Sequence, residues 1–225
     1  MLAGGIGSRL QSVVCEVPKV LAPIGQKPFL DYLLTWLEGN GIVKVVISTG
    51  YKADLIKINY GLKYGALDIG YSNEDSPLGT GGAIQVALTL CRGENVYVLN
   101  GDSFFDANLM NMHDDHVSCD ADVTLSVKEM WDYDRYGTVV INNGDVSFRE
   151  KRYTTRGFVN CGVYIVRRDV FLKFNMPNVF SFENDFLCKK ELNINAIPFD
   201  ANFIDIGIPE DYELAQSLIP QWFAL

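Results

Sequence analysis

Short apolar runs alternate with amphipathic stretches through most of the chain. Four runs rich in Val, Ile and Leu are nearly continuous in apolar character, which is typical of strands covered on both faces; they span 43–48, 68–72, 95–99 and 123–127. Helical patterns span 28–38, 80–90 and 209–217, and the last begins at Pro209 with two acids in its first turn. This alternation predicts an α/β fold with βαβ units and a mostly parallel, mixed sheet flanked by helices.

The pattern changes after about residue 131. The runs 137–142, 146–150 and 158–166 have strand character, and Asn142-Asn143-Gly144-Asp145 predicts a tight hairpin turn between the first two. We therefore expect one domain over residues 1–225, with a larger half from about 1 to 130 and a smaller mixed-sheet region from about 131 to 225.

Composition excludes several classes of protein. The chain has 225 residues, 48% of them hydrophobic, which is enough for one sizeable core. Its formal net charge of −9 argues against a nucleic-acid partner, which would require a basic face. No apolar run approaches the roughly 20 residues that span a bilayer, and no signal peptide is visible, so we expect a cytoplasmic protein without a membrane partner.

The five cysteines are widely spread and include no CxxC pair, which favours free thiols over disulfides or a zinc site. Composition leaves the oligomeric state open, a homo-oligomer included.

The first chemical motif is the glycine-rich segment Leu2-Ala3-Gly4-Gly5-Ile6-Gly7-Ser8-Arg9-Leu10. Glycines let backbone N–H groups approach phosphate oxygens, and the Arg9 guanidinium can bind two of those oxygens, although such loops also form plain tight turns. Only Met1, Leu2 and Ala3 precede the glycines, so we expect either a very short first strand or further residues upstream. Lys19 follows between Pro18 and Pro23, which stiffen the segment and favour a second phosphate-binding cation over a mobile surface lysine.

Gly4-Gly5-x-Gly7-Ser8-Arg9-Leu10 followed by Pro18-Lys19 resembles the signature of the sugar nucleotidyltransferase (nucleoside-diphosphate-sugar pyrophosphorylase) family, and the similarity continues through nearly the whole chain. The resemblance implies a Rossmann-like fold that transfers a nucleoside monophosphate from an NTP to a sugar 1-phosphate and releases pyrophosphate. It also implies that the first half binds the nucleotide and the second half the sugar phosphate. The implied nucleotide-binding residues are Leu2, Ala3, Gly4, Gly5, Gly7, Ser8, Arg9, Lys19, Glu74, Gly79, Thr80 and Gly101.

The small residues of the glycine-rich turn Asp75–Ala83 leave a flat slot, and the following helix offers free N–H groups. The resemblance implies that this segment binds the base of the nucleotide. Just upstream, the Glu74 carboxylate can accept hydrogen bonds from guanine N1–H and N2–H, which favours GTP. Uracil also offers an N–H donor, so UTP stays open, and a helix-capping acid is the structural alternative.

Asp102 ends the apolar run Leu99-Asn100-Gly101-Asp102, and acids at the carboxyl end of a parallel strand lie where α/β folds bind ligands. The resemblance implies that Asp102 and the distant Asp205 hold Mg²⁺, an ion commonly bound by one or two carboxylates and phosphate oxygens. Many relatives carry a threonine where this chain has Ile208, which removes any hydroxyl contact there.

The resemblance places the sugar-phosphate site on Glu150, Lys151, Asn160, Gly162 and Glu183. Lys151 is implied to bind the sugar phosphate and Glu150 the sugar hydroxyls; without the resemblance, the pair is a surface ion pair at a strand end. The implied catalytic residues are Arg9, Lys19, Asp102 and Lys151.

Two other patterns are weaker. His113 and His116 have the spacing of metal ligands but follow a polar helical stretch, so we expect a solvated helix end. Asp132-Tyr133-Asp134 resembles the DxD of metal-dependent glycosyltransferases, yet it does not end a hydrophobic strand, so we expect exposed loop acids. A glycosyltransferase is nevertheless the alternative enzyme class, and a nucleotide-sensing domain with an idle sugar site is the non-enzymatic alternative.

Overall fold

The computed structural model describes residues 1–5, 10, 14, 17–142, 145–149 and 152–224. The strands are β1 (Pro23–Ile24), β2 (Lys27–Pro28), β3 (Lys44–Thr49), β4 (Lys63–Tyr64), β5 (Leu67–Asn73), β6 (Asn95–Leu99), β7 (Ser103–Phe105), β8 (Val123–Tyr133), β9 (Thr138–Asn142), β10 (Asp145–Arg149), β11 (Thr154–Arg167), β12 (Ile194–Pro198) and β13 (Phe203–Asp205). The helices are α1 (Phe29–Gly39), α2 (Ala53–Tyr60), α3 (Gly79–Leu88), α4 (Leu109–Ser118), α5 (Val170–Lys173) and α6 (Pro209–Trp222). A 3₁₀ turn spans Lys19–Leu21 and a π-helical turn spans Phe182–Phe186.

The chain forms two compact units, each assembled from separate segments of sequence. The first unit comprises Met1–Leu78, Asn100–Phe104 and Ile204–Leu225, and the second comprises Gly79–Leu99 and Phe105–Phe203. The division into halves at about residue 130 stays a prediction about function.

Parallel pairing organises the first unit. β3 and β5 pair in parallel from Lys44↔Asp68 to Thr49↔Asn73, and Leu2 makes parallel bridges with both Ser48 and Asn100. An aromatic cluster fixes α1 and α6 in this unit, because Phe104 packs edge-on against Trp36 with ring centroids 6.0 Å apart and stacks on Trp222 at 5.7 Å. The start of the chain is therefore held as a very short strand beside the residues that follow β6.

Antiparallel pairing dominates the second unit. Its sheet has the order β10-β9-β11-β8-β12. β6 also pairs with β11, along the segment Val163–Arg167. β12 and β8 pair in parallel. The expectation of a mostly parallel sheet is wrong here, because β11 lies between β6 and β8 and runs antiparallel to both. β9 and β10, which are consecutive along the chain, also pair antiparallel. The α/β class with mixed sheets and flanking helices is confirmed.

The structure contradicts one of the two weaker sequence patterns and partly agrees with the other. His116 is 1% exposed, so its place at a solvated helix end is wrong: the α4 face that carries it packs on the sheet. Asp132 and Asp134 are exposed as predicted, but the expected loop is wrong for Asp132, because β8 extends through Tyr133. Cys91, Cys119, Cys161 and Cys188 are free thiols. Within the described ranges, no helix combines the length and apolar character needed to cross a bilayer.

Candidate active site

The first unit brings Asp102 and Asp205 together from distant parts of the sequence. Asp102 follows the bridge at Asn100, and Asp205 ends β13, which pairs with β7. The backbone N–H of Ile206 donates to the Asp102 carbonyl oxygen at 2.9 Å, so the two acids lie on adjacent backbones. The pairing of β7 with β13 is what creates this proximity.

Lys19 completes a compact charged group with these acids. Its Nζ lies 2.7 Å from Asp102 Oδ2, and its side chain is only 12% exposed. Val20 and Leu21, which follow it in the 3₁₀ turn, are buried and fix the turn. Gly207 lies against the same group: a Cβ there would come within 2.7 Å of Asp205 Oδ1 and 3.1 Å of Lys19 Nζ. The ammonium and the Asp205 carboxylate therefore approach the same point.

The electrostatics of this group favour a further cation. Burial, followed by the negative charge of Asp102, raises the pKa of Asp205 to about 6, against the opposing effects of Lys19 and the Gly207 N–H. That N–H donates to Asp205 Oδ1 at 2.7 Å. Among the described residues, two carboxylates accompany the single ammonium of Lys19 in this group, and both offer the oxygen atoms that Mg²⁺ prefers.

The donor set is small but fits that ion. Among the described residues, no group of three or more His, Cys, Asp and Glu side chains could hold a metal. Mg²⁺ needs only one or two carboxylates where phosphate oxygens and water complete its octahedron. Asp102 and Asp205 therefore fit a metal that binds together with a phosphate substrate.

The described part of the glycine-rich loop lies beside the same strands. Ala3 N–H donates to the Ser48 carbonyl oxygen at 2.8 Å, which positions Gly4 and Gly5 beyond the end of the short strand. Gly101 passes so close to Leu2 that a Cβ would lie 2.1 Å from its carbonyl oxygen, so no larger residue fits. The predicted Gly7, Ser8 and Arg9 lie outside the described residues.

Glu74 is held at both carboxylate oxygens. Oε1 accepts from the Ser48 hydroxyl at 3.3 Å, and Oε2 accepts from the Leu78 backbone N–H at 3.2 Å. Gly4 packs against it, since a Cβ on Gly4 would come within 2.7 Å of Oε1. The carboxylate thus binds the backbone just before α3, as a capping acid would, and keeps lone pairs for a ligand donor.

The second unit brings Asn160, Gly162 and Glu183 together. Glu183 Oε1 accepts from Asn160 Nδ2 at 3.2 Å and from the Tyr164 hydroxyl at 3.0 Å. Gly162 has φ +77 at the irregularity of β11, and its N–H donates to Asn160 Oδ1 at 3.1 Å. Glu183 is exposed, so its carboxylate is open to a polar ligand. Glu150 and Lys151 lie outside the described residues.

Sequence reasoning missed Ser48 and Tyr164, which bind the carboxylates of Glu74 and Glu183. Both are buried in strands, at 1% exposure each, and no local signal distinguishes them from core residues.

Comparison with known proteins gives concordant matches. The family model described as "Nucleotidyl transferase" matches residues 1–221. D-glycero-α-D-manno-heptose 1-phosphate guanylyltransferase of Aneurinibacillus thermoaerophilus is 47% identical over 96% of this chain and 95% of its own length. The protein of the same name from Campylobacter jejuni is 42% identical over 94% and 95%.

Solved structures agree with these matches. Two crystal structures of HddC from Yersinia pseudotuberculosis, the second complexed with GMP-PN, superpose with TM-scores of 0.87 and 0.85. Each is 36% identical, and the alignment covers 96% of both chains.

Proposed function

The chain belongs to the nucleotidyl transferase family, and we propose that it transfers the guanylyl group of GTP to D-glycero-α-D-manno-heptose 1-phosphate. The products would be pyrophosphate and a GDP-heptose, a donor for surface polysaccharide. Two relatives of that activity, 47% and 42% identical over almost the whole chain, support the sugar. The related HddC complexed with GMP-PN supports the guanine nucleotide.

The observation that carries the proposal is the group formed by Lys19, Asp102 and Asp205, with 2.7 Å between Lys19 Nζ and Asp102 Oδ2. We infer a single in-line displacement at the α-phosphorus of GTP. An oxygen of the sugar phosphate forms the new bond to phosphorus, and the bond to the bridging oxygen of pyrophosphate breaks. The attacking oxygen is already anionic at neutral pH, so the residues need to position and neutralise charge rather than remove a proton.

In the first unit, we assign Lys19 and Arg9 to the oxygens of the leaving pyrophosphate. Asp102 and Asp205 would hold Mg²⁺, which when bound neutralises phosphate charge and fixes the phosphate oxygens. The backbone from Leu2 to Gly5, with Gly7, Ser8 and Gly101, would line the triphosphate. Glu74, held by Ser48 and the Leu78 N–H, would accept from guanine N1–H and N2–H.

In the second unit, the backbone of Gly79 and Thr80 would contact the nucleotide at the N-terminus of α3, where N–H groups have no partner within the helix itself. Asn160, Gly162, Glu183 and Glu150 would bind the sugar. Lys151 would bind and steer its phosphate. The cluster at Glu183 supports this assignment, because an exposed carboxylate oriented by two donors suits sugar hydroxyl groups.

A pyrophosphate-release screen tests the proposal, with each of the four NTPs against the 1-phosphates of the heptose, mannose, glucose and N-acetylmuramic acid. We expect the highest kcat/KM with GTP and the heptose 1-phosphate, and no release when the sugar phosphate is omitted. If mannose 1-phosphate were the one sugar phosphate that supported pyrophosphate release, or if release required UTP and N-acetylmuramic acid 1-phosphate, the proposed substrates would be wrong. A glycosyltransferase would release no pyrophosphate with any pair, so that result would reject nucleotidyl transfer itself.

A further inference from the structure

The N-terminus of α3 and the π-helical turn Phe182–Phe186 are joined by direct hydrogen bonds within the second unit. The Phe182 backbone N–H donates to the Thr80 hydroxyl oxygen at 2.8 Å. In return, the Gly81 N–H donates to the Phe180 carbonyl oxygen at 3.0 Å. Both donors belong to the first turn of a helix, where N–H groups have no partner within the helix. Each terminus therefore supplies the acceptor that the other lacks.

Close packing limits movement at this junction. A Cβ on Gly79 would lie 2.4 Å from the Phe180 carbonyl oxygen, and one on Gly81 would lie 2.1 Å from Phe180 Cε2. Gly79 has φ +71, which also favours glycine. Behind the junction, Phe180, Phe182 and Phe186 pack around Phe171, with ring centroids 4.7 Å apart for Phe171 and Phe186. The side away from the helix is thus a packed aromatic core.

Glu183 directly follows the residue that Thr80 binds. Its backbone direction is set by Phe182, whose ring is 2% exposed and packs edge-on against Tyr164 at 5.2 Å. Its carboxylate then reaches Asn160 and Tyr164. A displacement of the Phe182 amide would consequently move the Glu183 carboxylate away from its two donors.

We propose that Thr80 is a positioning residue for the sugar-binding carboxylate of Glu183, acting through the bond from the Phe182 N–H to its hydroxyl. The inference rests on the proposed function, in which Glu183 binds sugar hydroxyls. It assigns the Thr80 side chain to the sugar subsite, whereas the Thr80 backbone serves the nucleotide. The α3 terminus and the sugar-binding acid would in this way keep one fixed geometry.

The test uses Thr80→Val, which keeps the shape but removes the acceptor, and Thr80→Ser, which keeps the hydroxyl. Steady-state pyrophosphate release is measured with GTP and the heptose 1-phosphate, each varied in turn. We expect Thr80→Val to raise KM for the sugar phosphate about tenfold, the effect of one lost hydrogen bond, with little change in KM for GTP. Thr80→Ser should restore the wild-type value. Thr89→Val is the matched control. The Thr89 hydroxyl donates to the Val86 carbonyl oxygen at the C-terminal end of α3, so this variant loses a local hydrogen bond of its own.

A double variant separates action through Glu183 from an independent effect. Combining Thr80→Val with Glu183→Ala should raise KM for the sugar phosphate no further than Glu183→Ala alone, because coupled residues are not additive. The inference would be overturned if the two substitutions multiplied their effects on KM for the sugar phosphate. It would also be overturned if Thr80→Val changed KM for GTP instead, or changed KM for neither substrate.

Amide exchange of the wild-type and variant proteins gives a readout that does not need turnover. Without substrate, we expect faster exchange across residues 180–186 in Thr80→Val than in wild type or Thr80→Ser; equal protection would overturn the inference. Absence of pyrophosphate release from the wild-type protein would instead reject the proposed function. The two failures are therefore distinguishable, and a thermal melt of each variant identifies any that does not fold.

Discussion

At the scale of single residues, we expect the charges of Asp102, Asp205 and Lys19 to have the largest effect on activity. Asp102→Asn keeps the shape of the side chain but removes a negative charge from the group that would hold Mg²⁺. We expect kcat to fall about a hundredfold or more, as when a group that stabilises transition-state charge is lost, whereas Kd for GTP should change only a few-fold. Kinetics and calorimetric titration measure the two quantities.

Asp68→Asn is the matched control, because Asp68 is an acid of the same unit whose side chain is 64% exposed. It should leave kcat unchanged. If Asp102→Asn retained activity within a few-fold of the wild-type enzyme, the assignment of Asp102 to the metal would be wrong.

Glu74 governs the choice of base in our proposal. Glu74→Gln keeps one acceptor oxygen but replaces the other with a donor that faces the guanine N–H groups, so kcat/KM for GTP should fall about tenfold to a hundredfold. Activity with UTP, which offers a single N–H, should change less. Asp75→Asn alters the exposed neighbouring acid and should have no effect. Equal losses with GTP and UTP would show that Glu74 only supports the loop.

The residues that sequence reasoning identified are those in motifs, where glycine, lysine and acids stand out from their neighbours. Lys19, Asp102 and Asp205 meet in the structure, although only the pairing of β7 with β13 makes that possible. Ser48 and Tyr164 were missed, because a hydroxyl inside an apolar strand shows its partner only after the strands have paired. The charged residues of the motifs could therefore be predicted from the sequence. The buried hydroxyl groups that bind their carboxylates could not.

At the scale of elements, strongly patterned segments were predicted closely. The run 95–99 coincides with β6, and 43–48 differs from β3 by one residue at each end. By contrast, α4 was indicated only as a polar helical stretch without bounds, because only Leu109, Met112 and His116 of it are buried and the apolar stripe is correspondingly narrow. The partner of each strand was not predictable either, since β11 pairs with strands far away in sequence.

The junction between α3 and the π-helical turn predicts an unusual response to alanine. Gly→Ala inside a helix normally stabilises by about 1 kcal/mol. At Gly81, however, the new Cβ would lie 2.1 Å from Phe180 Cε2, in a packed aromatic cluster. Gly81→Ala should therefore lower the free energy of unfolding by about 1–3 kcal/mol, the range for overpacking, as measured by urea denaturation.

Gly39→Ala provides the comparison. Gly39 is the last residue of α1, and a Cβ there meets nothing within 4 Å. This variant should be neutral or slightly stabilising. A stabilised Gly81→Ala would show that Phe180 can move aside, and would weaken the case for a rigid junction.

At the scale of the whole molecule, an acidic chain is proposed to bind anionic substrates, so its net charge and its local charges must act differently. The net charge of −9 gives no general attraction for phosphates. In our proposal, that attraction comes from local groups: Lys19 and Arg9, backbone N–H groups of the glycine-rich turns, and a divalent cation. The proposal accounts for a half-buried lysine beside two acids in an acidic chain, and it is consistent with the structure of HddC complexed with GMP-PN.

Global stability should respond to pH through His116, which α4 buries against the sheet of the second unit. Its Nδ1 lies 2.9 Å from the Thr124 hydroxyl and its Nε2 lies 3.1 Å from Asn95 Oδ1. The Asn95 oxygen can only accept, so Nε2 carries the proton and the neutral ring satisfies both partners. Burial, followed by the positive charges of Arg167 and His113, lowers the pKa of His116 to about 4, against the opposing effects of Asp120 and Asp122.

The sign of the effect follows from proton linkage. Because the folded-state pKa of about 4 lies below the usual value of 6.5, the unfolded chain binds the proton first as the pH falls. The stability is fully present above pH 6.5 and is lost toward pH 4. Between pH 7 and pH 5, wild type should lose about 2 kcal/mol more unfolding free energy than His116→Gln, which cannot titrate. The measurement is the free energy of unfolding of both proteins by urea denaturation across this pH range. If wild type and His116→Gln lost the same free energy, His116 would have the same pKa in the folded and unfolded chains. The description of a neutral buried ring would then be wrong.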